Sequence, residues 1–146
     1  MANVTDDESL VIARDARVVV VVGQVDERKS HRAAYQVPAQ LKARGCRVIP
    51  VNPKIASSLG ERAYATLAEV PERADILDVF RNADAIPALA DEVLALPAER
   101  RPLCVWLQTG ITNPESEKRM EKAGLKVVSD RCLGVLRALT QGAKGE

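Results

Sequence analysis

The 146-residue sequence predicts one α/β domain built on a doubly wound, parallel, five-stranded sheet. Three observations lead there. Val18–Val22 is an unbroken β-branched run ending at Gly23, the pattern of a strand covered on both faces. Further strand patterns then alternate with helical stretches of about 10–12 residues, the rhythm of βαβ units. The chain is also too short for an eight-fold βα barrel, which needs about 250 residues.

Taken in order, Thr5 with Glu8 three positions on forms a capping box, so a first helix is expected from there to Ala13. The first strand follows, and a polar stretch runs from Gln24 to Arg32. Ala34 to Arg44 keeps helical spacing through Tyr35, Val37 and Leu41, Gly45 suits the helix end, and Pro38 inside the pattern offers an alternative helix start. Cys46–Val51 is the second strand, with Pro50 marking a strand end or unpaired backbone. Asp75–Phe80 is the third. Ile86, Leu89, Ala90, Val93 and Leu94 lie on one face of an amphipathic helix. Leu103–Leu107 is the fourth strand. Asn113 and Pro114 open a helix that Gly124 closes. Leu125–Val128 is the fifth strand, and a last helix spans Cys132–Leu139. The domain is expected to occupy residues 1–146, with 1–4 and 141–146 loose.

Composition narrows the function. Hydrophobic residues at 47% and charged residues at 28% describe a globular chain with a full core. A net charge of +1 supplies no general field for nucleic acid or an anionic membrane. No run reaches the roughly 18 apolar residues of a membrane span. Three scattered cysteines without a CxxC pair, and one histidine, argue against a zinc or other metal site and fit a reducing, cytoplasmic setting. The acidic start MANVTDDES does not read as a signal peptide.

Ligands of open α/β sheets bind beyond the carboxyl ends of the strands. The residues expected there are Gly23 with Lys29, Ser30 and Arg32; Asn52, Pro53 and Lys54; Phe80 and Arg81; Gln108, Thr109 and Gly110; and Asp130, Arg131 and Cys132. Donors and cations thus converge on one edge, beside helix N-termini, which is a site for a polyanion. There is no full GxGxxG motif. The second strand ends in Asn52-Pro53-Lys54, where a nicotinamide dinucleotide site places an acid for the ribose. A cation there favours a phosphorylated ribose, as in NADP or coenzyme A. Phe80 is placed to flank an adenine or to pack, and Trp106 reads as packing. Asp75 is expected to start a strand and Asp78 to face a helix terminus. Cys132 is the best-placed thiol, at a helix N-terminus.

Several segments together resemble the small CoA-binding protein family: VVVVG (19–23), RVIPVNPK (47–54), LGERAYATLAEVP (59–71), DILDVFR (75–81), VWLQTGI (105–111) and AGLKVVSDRC (123–132). The likeness covers residues 5–133. It implies a Rossmann-like CoA-binding domain similar to that of the succinyl-CoA synthetase α subunit. Gly23 and the loop through Val25 to Arg32 would wrap the pyrophosphate. Lys54, carried by Asn52 and Pro53, would face the 3′-phosphate and ribose. Phe80, Arg81, Gln108 and Gly110 would line the rest of the cleft. The loop after Gly23 is longer than the family pattern G-x-S-x-x-P-x-R-P-S and lacks its serine and its proline after Arg32. The synthetase's phosphohistidine domain has no counterpart here. The expected role is therefore binding of CoA or an acyl-CoA without catalysis, with no protein partner identified. The alternatives are an NADP-type enzyme and a redox or regulatory partner protein acting through Cys132.

Overall fold

The computed structural model describes residues 4–143, with side chains as far as Thr140. Five parallel strands form the main sheet: β1 (Val18–Val22), β2 (Arg47–Val51), β5 (Ile76–Val79), β6 (Cys104–Leu107) and β7 (Lys126–Val128). Their spatial order is β2-β1-β5-β6-β7. The chain therefore reverses direction between β1 and β5, the switch point where such sheets open a crevice. Two short strands, β3 (Ser57–Ser58) and β4 (Glu61–Arg62), pair as an antiparallel hairpin after β2.

Alternating strand residues feed two cores. Val20, Val22, Leu77, Val79, Val105 and Leu107 face α3 (Ile86–Ala95) and α4 (Pro114–Lys122). Val19, Val21, Ile76, Cys104 and Trp106 face α1 (Asp6–Asp15), α2 (Ala33–Ala43) and α5 (Leu133–Ala143). The doubly wound fold is thus the one the alternation predicts. The loose ends expected at 1–4 and 141–146 lie largely outside the described residues, α5 running on to Ala143.

Two prolines behave differently from their sequence reading. Pro38 does not start α2; the helix begins at Ala33 and carries Pro38 inside it. A proline there leaves the carbonyl four residues earlier without its helical donor. That carbonyl, of Ala34, accepts instead from the Val25 amide at 3.3 Å. Pro50 lies within edge strand β2. Its carbonyl points away from β1 and accepts from the Tyr64 amide at 3.0 Å, so the missing N–H costs the sheet no bond.

The helix layer on the α5 side is tied by one buried cation. The Arg137 guanidinium donates through Nη1 to the carbonyls of Ala13, Arg14 and Ala16, at 2.9, 3.1 and 2.7 Å. Through Nη2 it donates to the Arg44 carbonyl at 2.9 Å. These carbonyls close the C-termini of α1 and α2, where a cation is electrostatically favoured. Arg137→Met should therefore cost about 3 kcal/mol in denaturant unfolding, because it strands buried acceptors. Arg119→Ala, which breaks only the exposed pair with Asp91, should cost under about 1 kcal/mol.

Candidate functional site

The switch point is held open by a backbone constraint. Gly23 has φ +88°, and its amide donates to the Val51 carbonyl at 2.9 Å. A Cβ built on it would stand 2.3 Å from the Phe80 carbonyl oxygen. Only glycine lets β1 end this close to the backbone leaving β5. Gly23 shapes the crevice, and its amide is already spent.

Beyond Gly23 the lengthened loop is ordered by its own polar groups. Gln24 is buried, and its Nε2 donates to Ser58 Oγ at 2.9 Å. Ser58 Oγ donates in turn to the Val25 carbonyl at 2.8 Å. Asp26 caps a 3₁₀ turn at Glu27–Lys29 and accepts from the Arg28 amide at 3.1 Å. The Arg28 guanidinium bonded to it holds the Asp26 carboxyl below the usual carboxylate range. Glu27 accepts from the Leu59 amide at 2.9 Å, which lowers its pKa as well. Val25 is buried, with its amide on Ala34, so its backbone fixes the loop. Arg32 is exposed at the N-cap of α2. No side chain caps that helix, and of its first-turn amides those of Tyr35 and Gln36 donate to the Arg32 carbonyl, both at 3.0 Å.

At the end of β2, Asn52 Nδ2 donates to the Gln24 carbonyl at 3.0 Å, and Asn52 Oδ1 accepts from the Lys54 amide at 2.9 Å. Asn52 is thus a clip between two strand ends, and it presents exposed Pro53 and Lys54. Phe80 is half-buried against the α5-side core, and its amide donates to the Val22 carbonyl at 2.9 Å. Exposed Arg81 lines an open cleft of about 200 Å³ with Val22, Ala85, Ala88, Leu89 and Glu92. Gly110, at φ +82°, receives Asp130 Oδ1 on its amide at 2.7 Å. Arg131 is drawn to Asp6, and the Trp106 indole, fully buried, donates to the Arg131 carbonyl at 3.0 Å. Cys132 is half-buried beside the first residue of α5, and His31 is exposed.

The structure corrects the reading of Asp78. None of its hydrogen bonds runs to a helix end. It lies fully buried between Val21 and Trp106 on the neighbouring strands, and its Oδ1 accepts from Gln108 Nε2 at 2.6 Å. Its Oδ2 has no hydrogen-bond partner among the described residues. Loss of water pushes the Asp78 carboxyl up to about 7, against the opposing pull of Gln108 and the Val79 amide. Gln108 accordingly points inward and is 4% exposed. Asp75 instead ties down the strand starts, its Oδ2 accepting from the Arg17 and Val18 amides at 2.8 and 2.9 Å. Gln24 and Ser58 are the site-building residues that local pattern did not single out, because both lie in stretches whose burial is set by the tertiary fold.

Larger concavities, of about 420 and 560 Å³, lie at the opposite end of the sheet, around Val11, Asp15, Leu103 and Arg14. The C-terminus of α1 lies there, and its carbonyls disfavour an anion. The larger of the two hollows is also lined by Arg14, Arg17 and Arg137, of which Arg14 is paired with Asp15 and Arg137 with helix-end carbonyls.

Two outcomes test this geometry. Gly23→Ala should destabilise the fold by about 2 kcal/mol or more, read as a lower thermal midpoint, since it adds both φ strain and overlap. Asp78 should make stability depend on pH. Below about pH 4 it is protonated folded and unfolded, and its contribution is full. As pH rises towards about 7 only the unfolded chain loses its proton, so stability falls, by at most about 4 kcal/mol, and then levels. In urea titrations, Asp78→Asn should remove this slope and be relatively more stable at pH 8 than at pH 5.

Comparison with known proteins agrees with the fold and names its family. The profile of the CoA binding domain matches residues 17–138. The chain is 31% identical over 141 residues to the protein YneT of Bacillus subtilis (strain 168), spanning 97% of this chain and 100% of that one. Among solved structures, it resembles cell-free ID.343 of Thermus thermophilus with a TM-score of 0.83 and 41% identity, over 92% of this chain and 98% of that one. A hypothetical protein of Pyrococcus horikoshii OT3 superposes with a TM-score of 0.84 at 25% identity, over 96% and 94% of the two chains. The chain belongs to the CoA-binding domain family.

Proposed function

We propose that the protein binds coenzyme A or an acyl-CoA across the carboxyl ends of β1, β2, β5 and β6, and performs no chemistry of its own there. The observation that carries the reading is Lys54. The Asn52 turn fixes its backbone at the end of β2, where a ribose-binding acid would stand in a nicotinamide site. A lysine there suits the 3′-phosphate that distinguishes CoA from its dephospho form.

The remaining donors fit the rest of the molecule. The uncapped start of α2 and Arg32 supply positive ends for the pyrophosphate. Gly23 keeps the backbone low enough for the ligand to cross the switch point, and the loop containing Val25 forms one wall. The acids nearest this path do not spoil it, since Asp26 is paired with Arg28 and Glu27 is engaged by Leu59. Phe80 and Arg81 border the cleft on the β5 side, Phe80 as an apolar surface for adenine or pantetheine and Arg81 as a further cation. Gly110 leaves open space on its side, no atom standing within 4 Å of a Cβ built there. Gln108 acts from beneath, through Asp78.

Titration calorimetry with CoA, dephospho-CoA, NADP and NAD tests the proposal. CoA should bind most tightly, and Lys54→Ala should weaken CoA about tenfold while leaving dephospho-CoA nearly unchanged, the loss expected for one charge-assisted contact. Absence of CoA binding, or equal affinity for CoA and dephospho-CoA, would overturn it.

A further inference from the structure

Asp78 is an unusual occupant of the central sheet. It sits on β5 beside the switch strand, fully buried, with one carboxyl oxygen on Gln108 and the other without a partner. Among the described residues no cation pairs with it. Val21 and Trp106 flank it on the adjoining strands, and the helices of that side contribute Ala13 from α1, Val37 and Leu41 from α2, and Leu133 and Leu136 from α5. The titratable or charged groups of this layer are the buried thiols Cys46 and Cys104, half-buried Cys132, and Arg137. Arg137 is committed to the helix-end carbonyls. Burial pushes the Cys104 thiol up to about 12, and the charge of Asp78 adds to that, so Cys104 stays a neutral thiol. At the strand ends the charged groups are Arg32, Lys54, Arg81, Asp130 and Arg131, all of them exposed.

A lone carboxylate in such a place resists any further negative charge nearby. Asp78 precedes Phe80 by two strand residues, so it lies roughly 7 Å below the mouth of the proposed cleft. Each unit of anionic charge held about 10 Å away, at an effective permittivity near 20, changes the proton affinity of such a carboxyl about tenfold. Gln108 joins the two regions. Its side chain donates to Asp78, its amide to the Val79 carbonyl at 3.3 Å, and its carbonyl accepts from Ile111 at 2.9 Å across the turn holding Gly110.

We propose that Asp78 is the proton-linked positioning residue of this site: when an anionic nucleotide binds at the strand ends, the Asp78 carboxyl, in the molecules where it is ionised, takes up a proton from solvent, and Gln108 transmits the change to the cleft. The step is a protonation alone, a carboxylate and a solvent proton giving a carboxylic acid. The inference rests on the CoA reading of the site. It makes CoA affinity fall as pH rises through neutrality, because an ionised Asp78 repels the incoming phosphates.

Calorimetry of the full chain with CoA at pH 7, in two buffers of widely different ionisation enthalpy, reads the proton directly. Wild type should take up more protons per CoA than Asp78→Asn, which also subtracts titration of CoA's own 3′-phosphate near pH 6. Between pH 6 and 8.5 wild-type affinity should fall about tenfold further than that of Asp78→Asn. Where Asp78→Asn does not fold, the carboxyl ¹³C resonance of Asp78 in wild type serves, and its midpoint should rise on saturation with CoA. Equal proton uptake in the two proteins, or an unmoved midpoint, overturns this inference while leaving CoA binding intact. Absence of CoA binding at every pH overturns both.

Discussion

The close approach of Gly23 to the Phe80 carbonyl is the constraint on which the site depends. Where β1 and β5 diverge, two backbones leave the sheet in opposite senses, and a side chain at position 23 would occupy the Phe80 oxygen's space. With that contact in place, the Gly23 amide can close on Val51 and the Phe80 amide on Val22, which fixes three strand ends relative to one another. The Asn52 clip, the Gln24–Ser58 bond and the start of α2 are all built outward from this junction.

Electrostatics gives the edge its sign. The chain is nearly neutral overall, so a local positive potential can come only from the placement of charges. At the carboxyl end stand an uncapped helix start and exposed Arg32, Lys54 and Arg81. Of the acids in the same region, Asp26 is paired with Arg28, and Glu27 and Asp130 accept from the backbone amides of Leu59 and Gly110. At the amino end of the sheet, helix C-termini are gathered under Arg137, and the larger hollow there is lined by Arg14 and Arg17 as well, Arg14 being paired with Asp15. Membrane insertion finds no support in the helices, none of which, among the described residues, is long and apolar enough to cross a bilayer.

Much of this was legible in the sequence because the signals are local. The Val18–Val22 run, the Thr5 and Asn113 caps and the turn glycines each act over a few residues, and each holds in the structure, Thr5 Oγ1 accepting from Glu8 at 3.1 Å and Asn113 Oδ1 from Ser116 at 3.1 Å. The failures are tertiary. The β3–β4 hairpin turns at Leu59 with φ +53°, a conformation costly for leucine, and is held by Lys42 on the Leu59 carbonyl and Glu27 on its amide. Pro38 is tolerated within α2 because the Val25 amide takes the carbonyl it leaves. Asp78 is buried because Gln108, 30 positions away, meets it. The candidate residues themselves divide on the same line. Lys54, Arg32 and Arg81 remain outward and exposed, whereas Asn52, Val25 and Gln108 turn inward and hold the frame.

The location of the site is the claim on which the rest stands, and a titration of backbone amide resonances with CoA tests it most directly. The account predicts shifts concentrated at Gly23–Ala34, Asn52–Lys54, Phe80–Arg81 and Gln108–Gly110. Shifts confined to Val11–Ala16, Leu103 and Lys126, around the 420 Å³ hollow at the opposite end of the sheet, would contradict it.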